Sequence, residues 1–451
     1  MPISASVFKA YDIRGLYPQE IDEQGAFLIG LAFAKVFQPR RVVVGRDVRD
    51  CNAKMQAELI RALVESGVDV VDIGQIPTDM IYFVVGKFGF DGGIVASASH
   101  NPVGYGGIKM VEKDSKPVFA EHKMPEIRDL VMSGTLASPG LSGKVEEKDY
   151  TSEYFDFILS FIDPEVLKQQ KVVANGNFGP SGKLLEKLAK ERGLPLEIVP
   201  LNLNPDGNFP KGRPDPMVPE NRGEFTALAK SSGADFGVSW DADGDRCFFC
   251  DGNGNFYEPC YITAFLVEEM LKQYPGAKTL YDIRYVWAVK AAAEEHGGTA
   301  LPTRVGRSFI MDIMRREDVV FCGESSGHYY FKDNYYSDNG MIPLLLIWQA
   351  VSVSGKKLGE LLENYTKRFF VSGEFNTTVS DVNAKISQIA ARYADGQQDF
   401  TDGVSIAYDD WRFNLRGSNT EPLLRCNIEA KSEELVISKK QELLDLLAKN
   451  D

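Results

Sequence analysis

Asp241-Ala242-Asp243-Gly244-Asp245-Arg246 sets three carboxylates at alternate positions. In an extended or turning loop that spacing lets them converge on one hard cation through oxygen, with room for a phosphate oxygen. Without a cation the three would repel one another, which disfavours a purely structural role. An EF-hand is excluded: Gly252 stands at the twelfth position from Asp241, where that loop needs a bidentate Glu. Arg246, directly behind the acids, supplies a fork for phosphate oxygens.

Four further segments carry chemistry of their own. Ser99 lies in Ser97-Ala98-Ser99-His100-Asn101-Pro102, delivered by the apolar run Gly93–Ala96 and followed by Lys109. A hydroxyl at a strand end with His and Lys close by has the makings of an activated nucleophile. Asn-Pro and the nearby glycines also make an ordinary turn, and the local sequence leaves the two readings even. In Gly323-Glu324-Ser325-Ser326-Gly327-His328, Glu324 and Ser326 suit paired sugar hydroxyls and equally a capped turn. His328 alone reads more readily as a satisfied structural histidine. Arg416-Gly417-Ser418-Asn419-Thr420 offers a guanidinium, two hydroxyls, an amide and backbone N–H groups, the makings of an anion nest. It has no Walker lysine, so nucleotide binding is not indicated. Tyr11-Asp12-Ile13-Arg14-Gly15 is too short for its chemistry to be argued alone.

The elements that must position these loops repeat three times. The β-rich runs Arg41–Gly45, Lys171–Gly176 and Lys278–Asp282 each precede an amphipathic helix closed by glycine. Those helices are expected over Asn52–Ser66, Gly182–Arg192 and Val286–His296, stopped by Gly67, Gly193 and Gly297. Second strands are expected at Val68–Ile73, Leu196–Leu201 and Ala300–Val305, and a third β-run then ends in each polar loop. Strands and helices alternating this way imply βαβ units. Ligands gather at the carboxyl ends of such strands, so the three loops are expected to face one cleft. From about Arg368 the rhythm changes. A smaller α+β domain is expected there, with β-rich Gly403–Leu415 and Leu423–Ile428 flanking the Arg416 loop and a helix over Glu433–Ala448.

Composition sets outer bounds. A chain of 451 residues is expected to form three or four domains. A net charge of −14, from 64 acidic and 50 basic residues, argues against nucleic acid as main partner while leaving small phosphorylated ligands open. Six scattered cysteines fit reduced thiols. Cys247-Phe248-Phe249-Cys250 reads as a buried strand rather than a metal or redox pair. No signal-like N-terminus or bilayer-length apolar run is evident, so a cytoplasmic protein with no membrane partner is expected.

Taken together and in order, Tyr11–Gly15, Ser97–Pro102, Asp241–Arg246, Gly323–His328 and Arg416–Pro422 resemble the markers of the α-D-phosphohexomutase family, the phosphoglucomutase and phosphomannomutase enzymes. The resemblance implies an α/β fold of four domains around a central cleft, three of them topologically similar mixed-sheet α/β domains and the fourth a smaller α+β domain. Boundaries are expected at 1–147 (phosphoserine loop), 148–254 (metal loop), 255–366 (sugar loop) and 367–451 (phosphate loop). It implies reversible phosphoryl transfer between C1 and C6 of a hexose phosphate, by way of a phosphoserine and a hexose 1,6-bisphosphate that serves as intermediate and activator. Mg²⁺ would be held by Asp241, Asp243, Asp245 and a phosphoserine oxygen at Ser99. Arg14, Lys109 and Arg246 would surround the reacting phosphate, with Lys109 a proton carrier, His100 supporting the loop and His328 a second proton-transfer candidate. Tyr11, Arg284, Arg307, Glu324 and Ser326 would contact the sugar phosphate. Arg416, Ser418, Asn419 and Thr420 would grip the phosphate that does not react.

Ser325 departs from the Met, Gln or Glu that relatives with different sugar preferences carry there, whereas Gly327-His328 is closer to enzymes acting on both mannose and glucose phosphates. Met110 and Ser337-Asp338-Asn339-Gly340 are smaller departures. Dual phosphomannomutase and phosphoglucomutase activity is therefore expected, with small hexose phosphates as partners and a monomer favoured. Phosphoglucosamine mutase is the main rival, ahead of a metal-dependent sugar phosphatase and a non-catalytic sugar-phosphate-binding paralogue.

Overall fold

The computed structural model describes residues 3–417 and 423–448. The chain forms two compact units, Met1–Phe256 with Gly327–Leu358, and Tyr257–Ser326 with Gly359–Asp451.

The repeat read from the sequence becomes one strand order used three times. In the first unit Arg41–Arg46 lies between Asp69–Gln75 and Gly92–Ala96, all parallel. Gln170–Asn175 lies likewise between Leu196–Leu201 and Phe236–Trp240. In the second unit Lys278–Asp282 lies between Thr299–Thr303 and Phe321–Gly323. The order is always second, first, third, so the chain reverses its direction across each sheet at the first strand, the switch point beside which ligands gather in such sheets. Val42, Val43 and Val44 are wholly buried, as a central strand covered on both faces requires. Helices Asp50–Glu65, Ser181–Glu191 and Trp287–Glu295 link the first and second strands. Gly67, Gly193 and Gly297 behind them take φ of +81°, +62° and +72°, the left-handed region that stops a helix at low cost in glycine.

Antiparallel returns make the first two sheets mixed. Tyr105–Glu112 pairs with both Gly92–Ala96 and Ile13–Leu16, and Cys247–Asp251 pairs with Phe236–Trp240. Cys247 and Cys250 are buried free thiols on that return strand. The fourth sheet is antiparallel, ordered Phe370–Val371, Leu423–Ala430, Trp411–Gly417, Val404–Ala407, Gln397–Asp399, and helix Glu433–Ala448 packs on it. Two expectations shift. The run Gly403–Leu415 is interrupted around Asp409-Asp410 and makes two strands. The second strand of the third repeat ends at Thr303, because Gly306, at φ +135°, turns the chain into helix Arg307–Glu317.

The Asp241–Arg246 loop is braced by the turn at Gly340. The indole of Trp240 donates to Gly340 O at 2.8 Å, and a side chain on Gly340 would strike the carbonyl oxygen of Gly244. Asn339 caps helix Ile342–Ser354, its Oδ1 accepting from the N–H groups of Met341 (2.8 Å) and Ile342 (2.9 Å). Asp79 closes the arrangement: its Oδ2 accepts from Tyr154 Oη–H at 3.1 Å and Gly340 N–H at 3.0 Å. Burial, together with the charges of Asp338 and Asp245, pushes its carboxyl up to about 8 despite those two donors.

The folded state therefore binds a proton at Asp79 that the unfolded chain, with an ordinary Asp pKa near 3.9, has released above pH ~4. Stability is lost as pH rises towards 8, by at most about 1.4 kcal/mol per pH unit from this group. Asp79→Asn, which keeps the amide neutral, should gain on the wild type between pH 5 and 8 in urea unfolding. A difference that stays flat over that range would show that Asp79 is ionised in the folded protein.

Candidate functional site

The Ser97, Asp241 and Gly323 loops each leave the carboxyl end of the third strand of a repeat. In the first unit, oxygen atoms of Asp241, Asp243 and Asp245 lie within 4.8 Å of one another, and all three side chains are fully buried. At an effective dielectric of about 20, two unit charges at 4.8 Å repel by about 3.5 kcal/mol, so a bare cluster is costly. Lys109 is the main internal compensation. Its ammonium donates to Asp243 Oδ2 at 2.7 Å and Asp245 Oδ2 at 2.6 Å. Asp243 Oδ2 also accepts from Thr78 Oγ1 at 2.7 Å and Ser97 Oγ at 2.8 Å, while its Oδ1 is buried with no hydrogen-bond donor among the described residues.

Burial opposes all three charges. On Asp241 it is joined by the charges of Asp243 and Asp245, and the carboxyl is pushed well above the usual range. On Asp243, burial and the Asp245 charge are outweighed by Lys109 and Thr78, leaving the carboxyl lowered. On Asp245, burial is outweighed by Lys109, His328 and Arg246, and the carboxyl lies well below its usual range. Three converging carboxylates, with Asp243 Oδ1 and Asp245 Oδ1 both buried without a hydrogen-bond donor among the described residues, and one carboxyl forced towards neutrality are what a hard divalent cation would relieve.

Ser99 stands against this cluster. Its hydroxyl donates to Asp241 Oδ2 at 3.3 Å and lies 3.1 Å from His100 Nδ1. Burial, followed by the charges of Arg246, Arg14 and Arg213, holds the His100 imidazole well below its ordinary pKa and so neutral. Ser99 adopts φ +50°, a backbone that costs a non-glycine residue on the order of 1 kcal/mol and has to be held from outside. Arg49 holds it. The Arg49 guanidinium donates to Ser99 O (2.7 Å) and Asn101 O (2.5 Å), and is itself paired with buried Asp47. Ser97 Oγ accepts from Ser99 N–H at 3.0 Å. Arg14, gripped by Asp12, reaches Asn101 Oδ1 at 3.0 Å. Tyr11 lies half-buried just before that strand.

The Gly323–His328 loop divides between the units. His328 belongs with the acid cluster, its Nε2 being 3.4 Å from Asp245 Oδ1 and accepting from Arg246 Nε–H at 3.2 Å. One ring nitrogen thus faces both a donor and an acceptor, and its protonation decides which it engages. Arg246 also lies 3.7 Å from Asp241 Oδ2.

Glu324 and Ser326 belong to the second unit and are buried. There Arg284 pairs with Asp282 at 2.8 Å and Glu324 at 3.4 Å, and Glu324 Oε1 also accepts from Gly306 N–H at 3.3 Å. Arg307 opens its helix as a buried side chain. Arg416, on the last-but-one strand, pairs with Glu374 at 3.3 Å. Ser418, Asn419 and Thr420 lie outside the described residues.

The residues that brace the site escaped sequence reasoning: Asp47, Arg49, Thr78, Ser97, Asp282 and Glu374. A signal existed for the first pair, since Asp47-Val48-Arg49 follows a strand of the same sheet as Ser97 does. Nothing local marks Thr78 or Glu374, whose partners are remote in sequence.

Profiles described as phosphoglucomutase/phosphomannomutase alpha/beta/alpha domains I, II and III match residues 5–137, 152–254 and 258–369, and the C-terminal domain profile matches 374–446. A protein of Xanthomonas campestris pv. campestris named "Phosphohexose mutases" is 40% identical over 443 residues, 98% of each chain. A phosphomannomutase of Salmonella montevideo is 38% identical over 448 residues, again 98% of each. The crystal structure of a phosphoglucomutase/phosphomannomutase family protein from Burkholderia thailandensis superimposes with TM-score 0.88 at 30% identity, covering 99% of this chain and 97% of that one.

If the acid cluster binds a divalent cation, saturation at a hundredfold excess over Kd should stabilise the protein by about 2.7 kcal/mol. The thermal midpoint should rise accordingly, and Asp243→Asn should lose most of that rise. An equal rise in the variant would move the cation elsewhere.

Proposed function

From the premise that this chain belongs to the phosphoglucomutase/phosphomannomutase family and is a hexose-phosphate mutase, we propose that it exchanges phosphate between C1 and C6 of mannose and glucose phosphates through a phosphate carried on Ser99. The observation that carries the reading is the Ser99 hydroxyl standing 3.3 Å from Asp241 Oδ2, at the edge of a buried three-carboxylate cluster.

In this reading Mg²⁺ is the cation of the cluster, and when bound it supplies positive charge beside the phosphoryl oxygens. Its ligands are Asp241, Asp243, Asp245 and an oxygen on Ser99, a hard all-oxygen set. Arg14, Lys109 and Arg246 neutralise the reacting phosphate, and positioning with charge neutralisation is the greater part of what phosphoryl transfer needs. Neutral His100 supports the loop and orients the serine oxygen. The attacking sugar hydroxyl must give up a proton as the phosphate leaves Ser99, and the serine oxygen must take one up. The sugar oxygen at the other end must gain a proton when its phosphate returns to Ser99. Lys109 and His328 are the candidates, since both contact Asp245 in the cluster beside Ser99.

Glu324 and Ser326 take the sugar hydroxyls, with Tyr11, Arg284 and Arg307 as further contacts. Arg416, together with Ser418, Asn419 and Thr420, grips whichever phosphate is not reacting. A hexose 1,6-bisphosphate is the intermediate, and added bisphosphate reloads Ser99 after loss of its phosphate. Each proposed domain supplies one loop: 1–147 the phosphate carrier, 148–254 the metal, 255–366 the sugar, 367–451 the phosphate grip. Six free cysteines, five of them buried, favour a reducing compartment, and we place the enzyme in the cytoplasm as a monomer. Among the described residues no helix is long and apolar enough to cross a membrane.

Intact-mass analysis should find one phosphate on the wild type that Ser99→Ala lacks, and turnover in that variant should fall by about 10³-fold or more. Unchanged turnover without that phosphate would end the covalent reading. Steady-state rates on mannose 1-phosphate and glucose 1-phosphate should be of the same order, with glucosamine 1-phosphate turned over more slowly. A preference for the amino sugar would reverse the assignment.

A further inference from the structure

Within the second unit, Glu374 faces three guanidiniums: Arg425 at 3.2 Å, Arg416 at 3.3 Å and Arg284 at 3.9 Å. It stands just after Gly373, at φ +67°, in the short turn between strands Phe370–Val371 and Phe375–Thr378. Its side chain is 10% exposed. The acids around it are anchored differently. Asp282 accepts from the backbone N–H groups of Arg284 and Ser325, and Glu324 accepts from Gly306 N–H. Among the described residues, Glu374 meets guanidinium groups and no backbone donor. Arg416 Nε is buried and has no acceptor among those residues, so this guanidinium is not fully used by the carboxylate.

The local charges explain why that matters. Arg284, Arg416 and Arg425 face Asp282, Glu324 and Glu374, and the charge of Asp402 also bears on Arg416. Buried arginines need a counter-anion when no ligand is bound. A phosphate dianion arriving at arginines that are already paired competes with those carboxylates, and among the described residues Glu374 is the one that no backbone group retains.

We propose that Glu374 is a displaceable internal anion, which occupies the arginine nest in the free enzyme and surrenders Arg416 to the non-reacting phosphate of the substrate. The proposal rests on the reading of Arg416 as the phosphate grip. Exchange of one anion for another keeps the grip moderate. A bisphosphate that must let go, turn over and rebind needs a grip of that kind, since tightly held phosphate would stall between its two halves of reaction.

The test measures inorganic phosphate as a competitive inhibitor, with KM and kcat for glucose 1-phosphate, in wild type, Glu374→Gln, Glu374→Asp and Arg416→Gln. Glu374→Gln removes the competitor. It should bind phosphate about three- to tenfold more tightly, with KM lowered and kcat lowered as release slows. The gain should shrink as salt is raised. Glu374→Asp, with its charge drawn back by one methylene, should shift phosphate affinity the same way by less, and it decides the matter if the Gln variant does not fold. Unchanged or weaker phosphate binding in the folded variants overturns the proposal and makes Glu374 an orienting partner of Arg416. If Arg416→Gln leaves phosphate inhibition and KM untouched, the grip itself has been misassigned and the proposal falls with it.

Discussion

Everything in the first unit answers to one constraint: three carboxylates buried within 4.8 Å of one another. Such a cluster is tolerable only where cations and donors are already in place, and the fold supplies them from strands remote in sequence. Lys109 comes from the antiparallel return of the first sheet, Thr78 and Ser97 from the ends of its parallel strands, Arg246 and His328 from later in the chain. The same groups that make the acids bearable also settle where Ser99 lies, because Ser97 joins Asp243 to the Ser99 backbone. The acid cluster and the placement of Ser99 are therefore one structural problem with one solution.

The second unit solves a related problem in the opposite sign. It buries arginines and balances them with acids, two of which are locked by backbone N–H groups. With a net charge of −14, the chain as a whole is acidic, yet Arg284, Arg412 and Arg416 are withdrawn from solvent and paired, where screening by salt is weak.

Much of this was legible in residue order. The three-fold repeat could be read from β-runs, helices and glycine stops, because those signals are local and periodic. Asp241, Asp243 and Asp245 could be read because alternate acids have few uses. Ser99 could not be decided from its own neighbours, since a turn and a nucleophile share the same residues there. Its contact with Asp241 spans 142 positions. Glu374 stayed hidden for the same reason: it looks like an ordinary surface charge until the fold brings its arginine partners. The split of the Gly323–His328 loop was also invisible, because nothing in six consecutive letters tells which side of a unit boundary each falls on.

The left-handed backbone at Ser99 limits what can stand there. Threonine offers the same hydroxyl, but its branched Cβ is the side chain least compatible with positive φ. Glycine or asparagine fit the backbone and bring no hydroxyl. A replacement that keeps a hydroxyl strains the chain, and one that eases the chain loses the hydroxyl. If Ser99 carries the phosphate as proposed, descendants of this protein that abandon serine here have abandoned the reaction, and this one letter sorts active enzymes from retired copies.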